Sequence, residues 1–196
     1  MEMRARSTWV RLGGLVVALL AIAGFVAVRA TAQAAETPQA ATSTTDGTPD
    51  GPTPGPMYRV YEVYHATGTQ TYTCADAGTW GTSSTPDAQL VSVKDPLRRI
   101  HHFAGPRWQL LNDGSQILGH VVLSVPQPGT IAELLLSTTA EIRGYLSPVV
   151  YVSRDDPTGG VAPPGGCTPG ATVAVPYTAY YVFWIAGGPT ISAITH

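Results

Sequence analysis

The stretch that decides the fold of this chain reads His102-Phe103-Ala104-Gly105-Pro106-Arg107-Trp108-Gln109-Leu110-Leu111-Asn112-Asp113-Gly114-Ser115-Gln116-Ile117-Leu118-Gly119. Asp113-Gly114 is a strong hairpin signal, because a type I′ turn needs φ > 0 at both central positions and glycine adopts it without steric cost. Gly105-Pro106 marks an earlier turn, since proline fixes its own φ and lacks a backbone donor. The stretch therefore predicts a turn, a strand, a two-residue reversal of type I′ and a second strand.

The composition favours sheet over helix. Only 12% of the 196 residues are charged, and the chain contains 21 glycines and 17 prolines, so helix formers are scarce and turn formers abundant. Runs rich in β-branched and aromatic residues predict further strands at 58–64, 68–74, 88–93, 131–137, 148–154, 175–185 and 190–194. A hairpin loop at 66–68 is expected to join the first two, and 155–170 reads as a long Gly/Pro-rich loop. We expect an all-β fold in a single domain, either an antiparallel β-sandwich or a flattened barrel.

The chain divides into three parts. Arginines precede an apolar run of 17 residues at 12–28, and Ala32-Gln33-Ala34 fits a signal-peptidase site. Residues 1–34 are therefore predicted to be a signal peptide; the alternative is an uncleaved membrane anchor, because 17 residues is near the lower limit of a span. Residues 35–56 have the Pro/Thr/Gly-rich composition of a disordered spacer, and 57–196 form the β-domain. A secreted, periplasmic or cell-envelope location follows, with membrane contact only through 12–28 if the leader is retained.

The charge balance and the motifs of the sequence argue against two classes of partner, nucleic acids and nicotinamide cofactors. Residues 57–196 carry seven basic and nine acidic residues, so no basic stripe is expected to bind nucleic acid. The chain has no Gly-x-Gly-x-x-Gly after a strand and no alternation of strands with helices, which a nicotinamide site requires. Neither nucleic acid nor a cofactor is expected.

Cys74 and Cys167 are the only cysteines. In an exported domain such a pair predicts a disulfide, which here would close a loop of about 93 residues and tie the Gly/Pro-rich loop to the end of the second predicted strand. The alternatives are a reactive thiol or a zinc site with histidines, but the spacing is not that of a zinc motif.

Several segments resemble, in order and spacing, those of one known family: Gly68-Thr69-Gln70-Thr71-Tyr72-Thr73-Cys74, His102-Phe103-Ala104-Gly105-Pro106-Arg107-Trp108, Asp113-Gly114-Ser115, Ile131 to Leu136, Arg154, Thr158-Gly159-Gly160-Val161-Ala162-Pro163, Cys167 and Val175-Pro176-Tyr177-Thr178-Ala179-Tyr180-Tyr181-Val182-Phe183. Over nearly all of 68–184 the chain resembles the DUF3455 family. The resemblance implies an exported single domain of unassigned function. The chain departs from the family pattern at Glu133, where tryptophan is usual, and at Tyr180, where an acidic residue is usual. If either belongs to a ligand site, this member's ligand would differ.

The expected function is non-catalytic binding, or a cell-envelope role, with a carbohydrate or a small apolar molecule as ligand. Tyrosine and tryptophan side chains near arginines are typical of such sites, although strand alternation places about half of the aromatic residues in the core. Arginine can bind a carboxylate through two parallel hydrogen bonds. The candidate ligand-binding residues are His102, Arg107, Trp108, Arg154 and Tyr177.

The alternative is a hydrolase or metal-dependent enzyme centred on His102. Ser115, His102 and Asp113 are the residue types of nucleophile, base and orienting acid, but no Gly-x-Ser-x-Gly motif surrounds the serine. A metal site would draw on His65, His101, His102 and His120, with Asp113 as a further candidate ligand. Adjacent histidines on a strand face opposite sides, so only one of His101 and His102 could join a given site. No catalytic or metal-binding residue is therefore assigned.

Overall fold

The computed structural model describes residues 49–187. They form eight strands: β1 (Tyr58–Cys74), β2 (Trp80–Ser92), β3 (Arg99–Phe103), β4 (Arg107–Leu110), β5 (Gln116–Val125), β6 (Glu133–Ile142), β7 (Val149–Gly159) and β8 (Thr172–Ala186). The predicted signal peptide, most of the predicted spacer and the predicted strand at 190–194 lie outside the described residues. Within residues 49–187 no helix is long and apolar enough to cross a membrane.

The strands close into an up-and-down barrel. Each strand pairs antiparallel with the next, and β8 pairs with β1 along almost the whole length of both, from Tyr58–Ala186 to Thr73–Thr172. The expected barrel is thus right and the β-sandwich is wrong. The reason is that β1 and β8 carry one continuous ladder around the molecule, whereas a sandwich would end its ladders at the edges of two sheets.

β1 is one strand of 17 residues, so the predicted hairpin loop at 66–68 is wrong. Gly68 does not form a turn but lies against β2, where a Cβ atom would overlap the carbonyl oxygen of Asp87 and the Cα atom of Ala88. The glycine is required because two backbones approach closely at this point. β2 also begins earlier than the predicted strand at 88–93, at Trp80.

The stretch that decides the fold supplies the end of β3, all of β4 and the start of β5, but its reversal is not of type I′. Gly114 has a φ of 74°, while Asp113 is not in the positive-φ region. The loop contains five residues, 111–115, and the Gly114 N–H donates to the Leu110 carbonyl at 2.9 Å. Asp113 accepts a hydrogen bond from the Ser115 N–H at 2.8 Å. An aspartate side chain that accepts from the backbone N–H two residues later is a common feature of turns, and here it stabilises a loop longer than two residues.

The predicted disulfide is confirmed. The sulfur atoms of Cys74 and Cys167 are 1.96 Å apart, with a Cα–Cα distance of 5.9 Å and a sequence separation of 93. The bond joins the β7–β8 loop to the end of β1. The sequence analysis treated this part of β1, residues 68–74, as a separate second strand. β7 continues to Gly159, so the loop predicted at 155–170 starts later than expected.

Large inward-facing side chains fill one part of the barrel. The largest fully buried ones in this core are Trp108, Tyr64, Tyr181, Phe183, Leu90, Ile100, Ile117, Leu136 and Leu146. Strand alternation places Val63, Val182 and Trp184 in a second cluster on the outer face of β1 and β8. The fold therefore buries apolar surface on both sides of these two strands.

A charged network closes one end of the barrel, which we call the closed end. Glu62 is 4% exposed and accepts hydrogen bonds from Ser92 Oγ (2.5 Å), Arg98 Nη1 (2.5 Å) and Tyr145 Oη (2.6 Å). Burial raises the pKa of Glu62, but these three bonds and the charge of Arg98 outweigh it, and the pKa lies below its ordinary value. The network fixes the β2–β3 turn against β1.

A second polar cluster lies on the outer face of β7. Asp155 is 1% exposed, its Oδ2 accepts a hydrogen bond from Ser153 Oγ at 3.0 Å, and its Oδ1 has no partner. Trp184 Nε1 donates to the same Ser153 Oγ at 3.2 Å. Gly51 lies directly against this carboxyl group, since a Cβ atom there would overlap it. Residues just before β1 thus cover the outer wall.

Candidate functional site

A cavity of about 470 Å³ occupies the half of the barrel that contains the β3–β4 turn. Its wall is partly polar and partly apolar. The lining residues are Gln70, Thr82, Ser83, Ser84, Pro86, His102, Gly105, Pro106, Trp108, Val121, Leu134, Leu136, Arg154 and Tyr181.

The cavity opens sideways because β3 and β4 are short. β2 pairs with β3 only through 88–91, and β5 pairs with β4 only through 116–118. Among the described residues, the first half of β2 and the second half of β5 therefore have no strand beside them on this side. Ser83 and Val121 line the cavity here and are exposed, Val121 by 55%. We call this opening the side gap.

His102 and Trp108 form one wall of the cavity. The two rings are stacked, with centroids 4.7 Å apart and planes 7° from parallel, and His102 is 2% exposed. His102 Nδ1 donates to the Arg107 carbonyl at 2.9 Å. Burial, helped by the charge of Arg154, lowers the pKa of His102 to about 4 against the raising effect of that hydrogen bond. The imidazole is thus neutral at pH 7, with Nε2 as a hydrogen-bond acceptor.

Arg154 contributes a positive charge to the cavity. Its Nε and Nη2 both donate to the Ala132 carbonyl, at 3.0 and 2.7 Å. No carboxylate among residues 49–187 lies within 4.0 Å of its guanidinium. The side chain is half-buried, so this charge is partly shielded from solvent.

Three of the five predicted ligand-binding residues line the cavity: His102, Trp108 and Arg154. Tyr177 lies behind the wall, 2% exposed, with its hydroxyl 3.3 Å from that of Tyr181. Arg107 is on the outer face, because its neighbour Trp108 points inward. Its Nε and Nη2 donate to the Glu141 carboxylate at 2.9 and 3.0 Å.

The residues of the hydrolase alternative are not assembled. Ser115 is fully buried, its Oγ accepts a hydrogen bond from the Leu146 N–H at 3.2 Å, and Asp113 binds the N–H groups of Ser115 and Tyr145. Both residues lie by the β4–β5 loop, at the closed end. The Nδ1 proton of His102 is donated to a backbone carbonyl instead. In the described structure His102 makes no hydrogen bond to the side chain of Ser115 or of Asp113.

The histidines of the metal alternative are also separate. His101 Nε2 lies 2.8 Å from Asp87 Oδ1, and the His65 ring packs against Tyr180 with centroids 5.2 Å apart. His120 is exposed on β5. In the part of the chain that the structure describes, no group of three or more His, Cys, Asp and Glu could hold a metal ion.

The sequence analysis missed several lining residues, above all Gln70 and Tyr181. Gln70 is 3% exposed, and its Oε1 accepts a hydrogen bond from Ser84 Oγ at 2.7 Å. One signal could have identified it. Had β1 been recognised as one strand, Gln70 would fall on the same inward face as Tyr64 and Tyr72, and an amide on such a face indicates a polar interior.

The two positions where the chain departs from the family pattern lie outside the cavity lining. Glu133 Oε1 accepts a hydrogen bond from the Asp156 N–H at 3.3 Å, and Tyr180 packs against His65. Neither residue lines the cavity.

Comparison with known proteins supports one assignment. No curated protein and no solved structure matches the chain. The family model DUF3455, described as a protein of unknown function, matches residues 95–185, a segment that contains His102, Trp108 and Arg154 but not Gln70. Over these residues, which run from the β2–β3 turn almost to the end of β8, the match confirms the resemblance of the chain to the DUF3455 family.

Proposed function

We propose that the domain is a non-catalytic binding module that holds a small, partly apolar molecule inside the barrel. The observation that carries the proposal is the cavity of about 470 Å³, which borders a core of buried aromatic and aliphatic side chains. Eight-stranded barrels are wide enough to hold one small ligand, and the volume is typical of small-molecule sites. The predicted export signal supports a role outside the cytoplasm or in the cell envelope.

The chemistry of the lining supports binding more than catalysis. His102 uses its only proton on a backbone carbonyl, and Ser84 donates its hydroxyl to Gln70. Neither residue is placed as the activated nucleophile or the paired base of an acyl-transfer site. Leu134, Leu136 and Val121 supply the apolar surface that a ligand would cover.

A carbohydrate is the second candidate ligand. Thr82, Ser83 and Ser84 place a row of hydroxyl groups along the side gap, next to the Gln70 amide. Such groups hydrogen-bond sugars, but Trp108, the largest aromatic residue of the lining, has no exposed surface for a sugar ring to stack on.

The test is a pair of matched variants of the full chain, Val121→Trp and Val122→Trp. The two valines are adjacent and equally exposed, at 55%, but only Val121 lines the cavity. Binding of the neutral fluorescent probe N-phenylnaphthylamine is measured for both variants and for the unmodified chain.

We expect the probe to bind the unmodified chain and Val122→Trp alike, and to bind Val121→Trp about tenfold or more weakly. Equal binding to all three proteins, or no binding at all, would contradict the proposal. Displacement of the probe by simple oligosaccharides, but not by alcohols with an alkyl chain, would favour the carbohydrate candidate.

A further inference from the structure

The cavity has an uncompensated positive charge. Arg154 is the only charged residue in its lining, which contains neither aspartate nor glutamate, and His102 is neutral at pH 7. The other half-buried arginines of the described structure are paired, Arg98 with Glu62 and Arg107 with Glu141, whereas Arg59, Arg99 and Arg143 are exposed to solvent. We infer that the molecule held in the cavity is an organic anion whose head group binds Arg154. This inference rests on the proposed binding function.

The acidic residues closest in sequence do not neutralise Arg154. Asp155 follows it directly and therefore faces the outer side of β7, where burial raises the pKa of its carboxyl to about 8. Glu133 accepts a hydrogen bond from the Asp156 backbone. The wall therefore separates the cation from the carboxyls, and a half-buried cation without a counter-charge favours an anion brought by a ligand.

Hydrogen bonds hold the guanidinium group of Arg154 in a fixed orientation. Two of its nitrogen atoms donate to one carbonyl, that of Ala132, which fixes the plane of the group. Nη1 makes no hydrogen bond to the described residues, so its donors are left for a ligand. A planar, oriented guanidinium matches the oxygens of a carboxylate or a sulfate, often through two parallel bonds.

Gln70 supplies a second donor. Its Oε1 accepts the hydroxyl of Ser84 at 2.7 Å, which leaves the amide NH₂ group without an acceptor among residues 49–187. An anionic head group could therefore bind Arg154 and Gln70 together, since both side chains line the same cavity.

The rest of the ligand is apolar and reaches the side gap. Leu134, Pro106 and Val121 continue the lining away from the polar groups. An amphipathic anion with an alkyl or aromatic body fits this order of polar and apolar groups.

The test compares four probes that share one alkyl chain: octanoate, octyl sulfate, octanol and octyltrimethylammonium. Each displaces N-phenylnaphthylamine from the full chain, from Arg154→Gln and from the control Arg143→Gln, an exposed arginine outside the lining. Binding of the neutral probe to Arg154→Gln shows that this variant is folded.

We expect both anions to bind the unmodified chain and Arg143→Gln about tenfold or more tightly than octanol, with octyltrimethylammonium weakest. In Arg154→Gln this preference for anions should disappear while octanol binding is kept. A higher affinity for octanoate than for octyl sulfate would identify a carboxylate ligand, and the reverse order a sulfate or phosphate ester.

Two outcomes separate the inference from the function on which it rests. If octanol and octanoate bind equally and Arg154→Gln changes neither, the cavity binds ligands but the anion inference is wrong. If no probe binds and Val121→Trp has no effect, the proposed binding function is itself wrong.

Discussion

Replacing Asp155 by asparagine is expected to stabilise the domain at pH 8 and to remove much of the pH dependence of its stability. The carboxyl is 1% exposed, lies beneath Gly51 and has one oxygen without a partner. Burial raises its pKa to about 8, and the charges of Glu133 and Asp156 add to this effect, against a lowering hydrogen bond from Ser153. The side chain is therefore a neutral acid near pH 7.

The sign of the effect follows from the two protonation equilibria. In the unfolded chain the carboxyl has an ordinary pKa of 3.8 and releases its proton above that pH, whereas the native state keeps the proton until about pH 8. Between these values the unfolded state binds fewer protons, so the free energy of unfolding falls by about 1.4 kcal/mol per pH unit. From pH 5 to pH 7 the loss is about 3 kcal/mol.

The assay is urea unfolding followed by tryptophan fluorescence at pH 5, 6, 7 and 8. Asp155→Asn cannot ionise, so its stability relative to the unmodified chain should rise by about 1.4 kcal/mol for each pH unit across this window. The control is Asp76→Asn, which changes an exposed carboxylate in the β1–β2 turn and should run parallel to the unmodified chain. Parallel profiles for Asp155→Asn would refute the reasoning.

Three further predictions concern the scaffold. Replacing Cys74 and Cys167 together by alanine should lower the free energy of unfolding by about 2–4 kcal/mol, measured by urea denaturation, because the bond closes a long loop; an unchanged midpoint would contradict this. Gly68→Ala should lower the free energy of unfolding by about 1–3 kcal/mol, because the added Cβ atom forces β1 and β2 apart. The control is Gly166→Ala, whose Cβ would meet its nearest atom at 3.4 Å, and it should lower the free energy of unfolding by less than half as much. Glu62→Gln should lower the free energy of unfolding by about 2 kcal/mol at pH 7, because Arg98 Nη1 loses its charged acceptor and keeps only the more exposed Asp95 side chain, 3.5 Å from Nη2, beside it. Since the folded-state pKa of Glu62 is lowered from 4.5, its stabilisation is present above pH 4.5 and is lost as the pH falls through the folded value, so acid titration of both proteins should bring their stabilities together.

Local signals in the sequence located most of the strands but not the closure of the barrel. Glycine and proline located the turn before β4 and the loop before β5, because their constraints act within a few residues. Whether β8 pairs with β1 depends on a contact between the two ends of the domain, which no local pattern contains. The sequence therefore allows both a sandwich and a barrel, and only the pairing of β8 with β1 distinguishes them.

Gly68 shows why a local reading can fail. A glycine between two apolar runs is a normal turn signal, and nothing within ten residues of it reveals the Asp87 backbone that it touches. Cys74 and Cys167 are the opposite case, because their chemistry requires a partner and the chain offers only one choice.

The lining of the cavity was predicted in part. His102, Trp108 and Arg154 were selected by residue type and do share the cavity. Arg107 was selected on the same ground, although it precedes Trp108 on a strand and adjacent residues face opposite sides. The alternation of side chains along a strand is enough to place Arg107 and Trp108 on opposite faces of the sheet. It does not show which of the two faces encloses a cavity.

The existence of the cavity follows from unequal strand lengths. β1 and β8 have 17 and 15 residues, but β3 and β4 have only 5 and 4. At about 3.3 Å per residue, the short hairpin spans roughly a third of the height of the long strands. Where all eight strands are present, aromatic side chains fill the interior and the ladder closes. Beyond the β3–β4 turn, the wall between β2 and β5 is missing, so a polar and partly solvated interior can exist there without breaking the closed ladder beneath it. Extending this hairpin would therefore close the cavity proposed to bind a ligand and leave the fold intact.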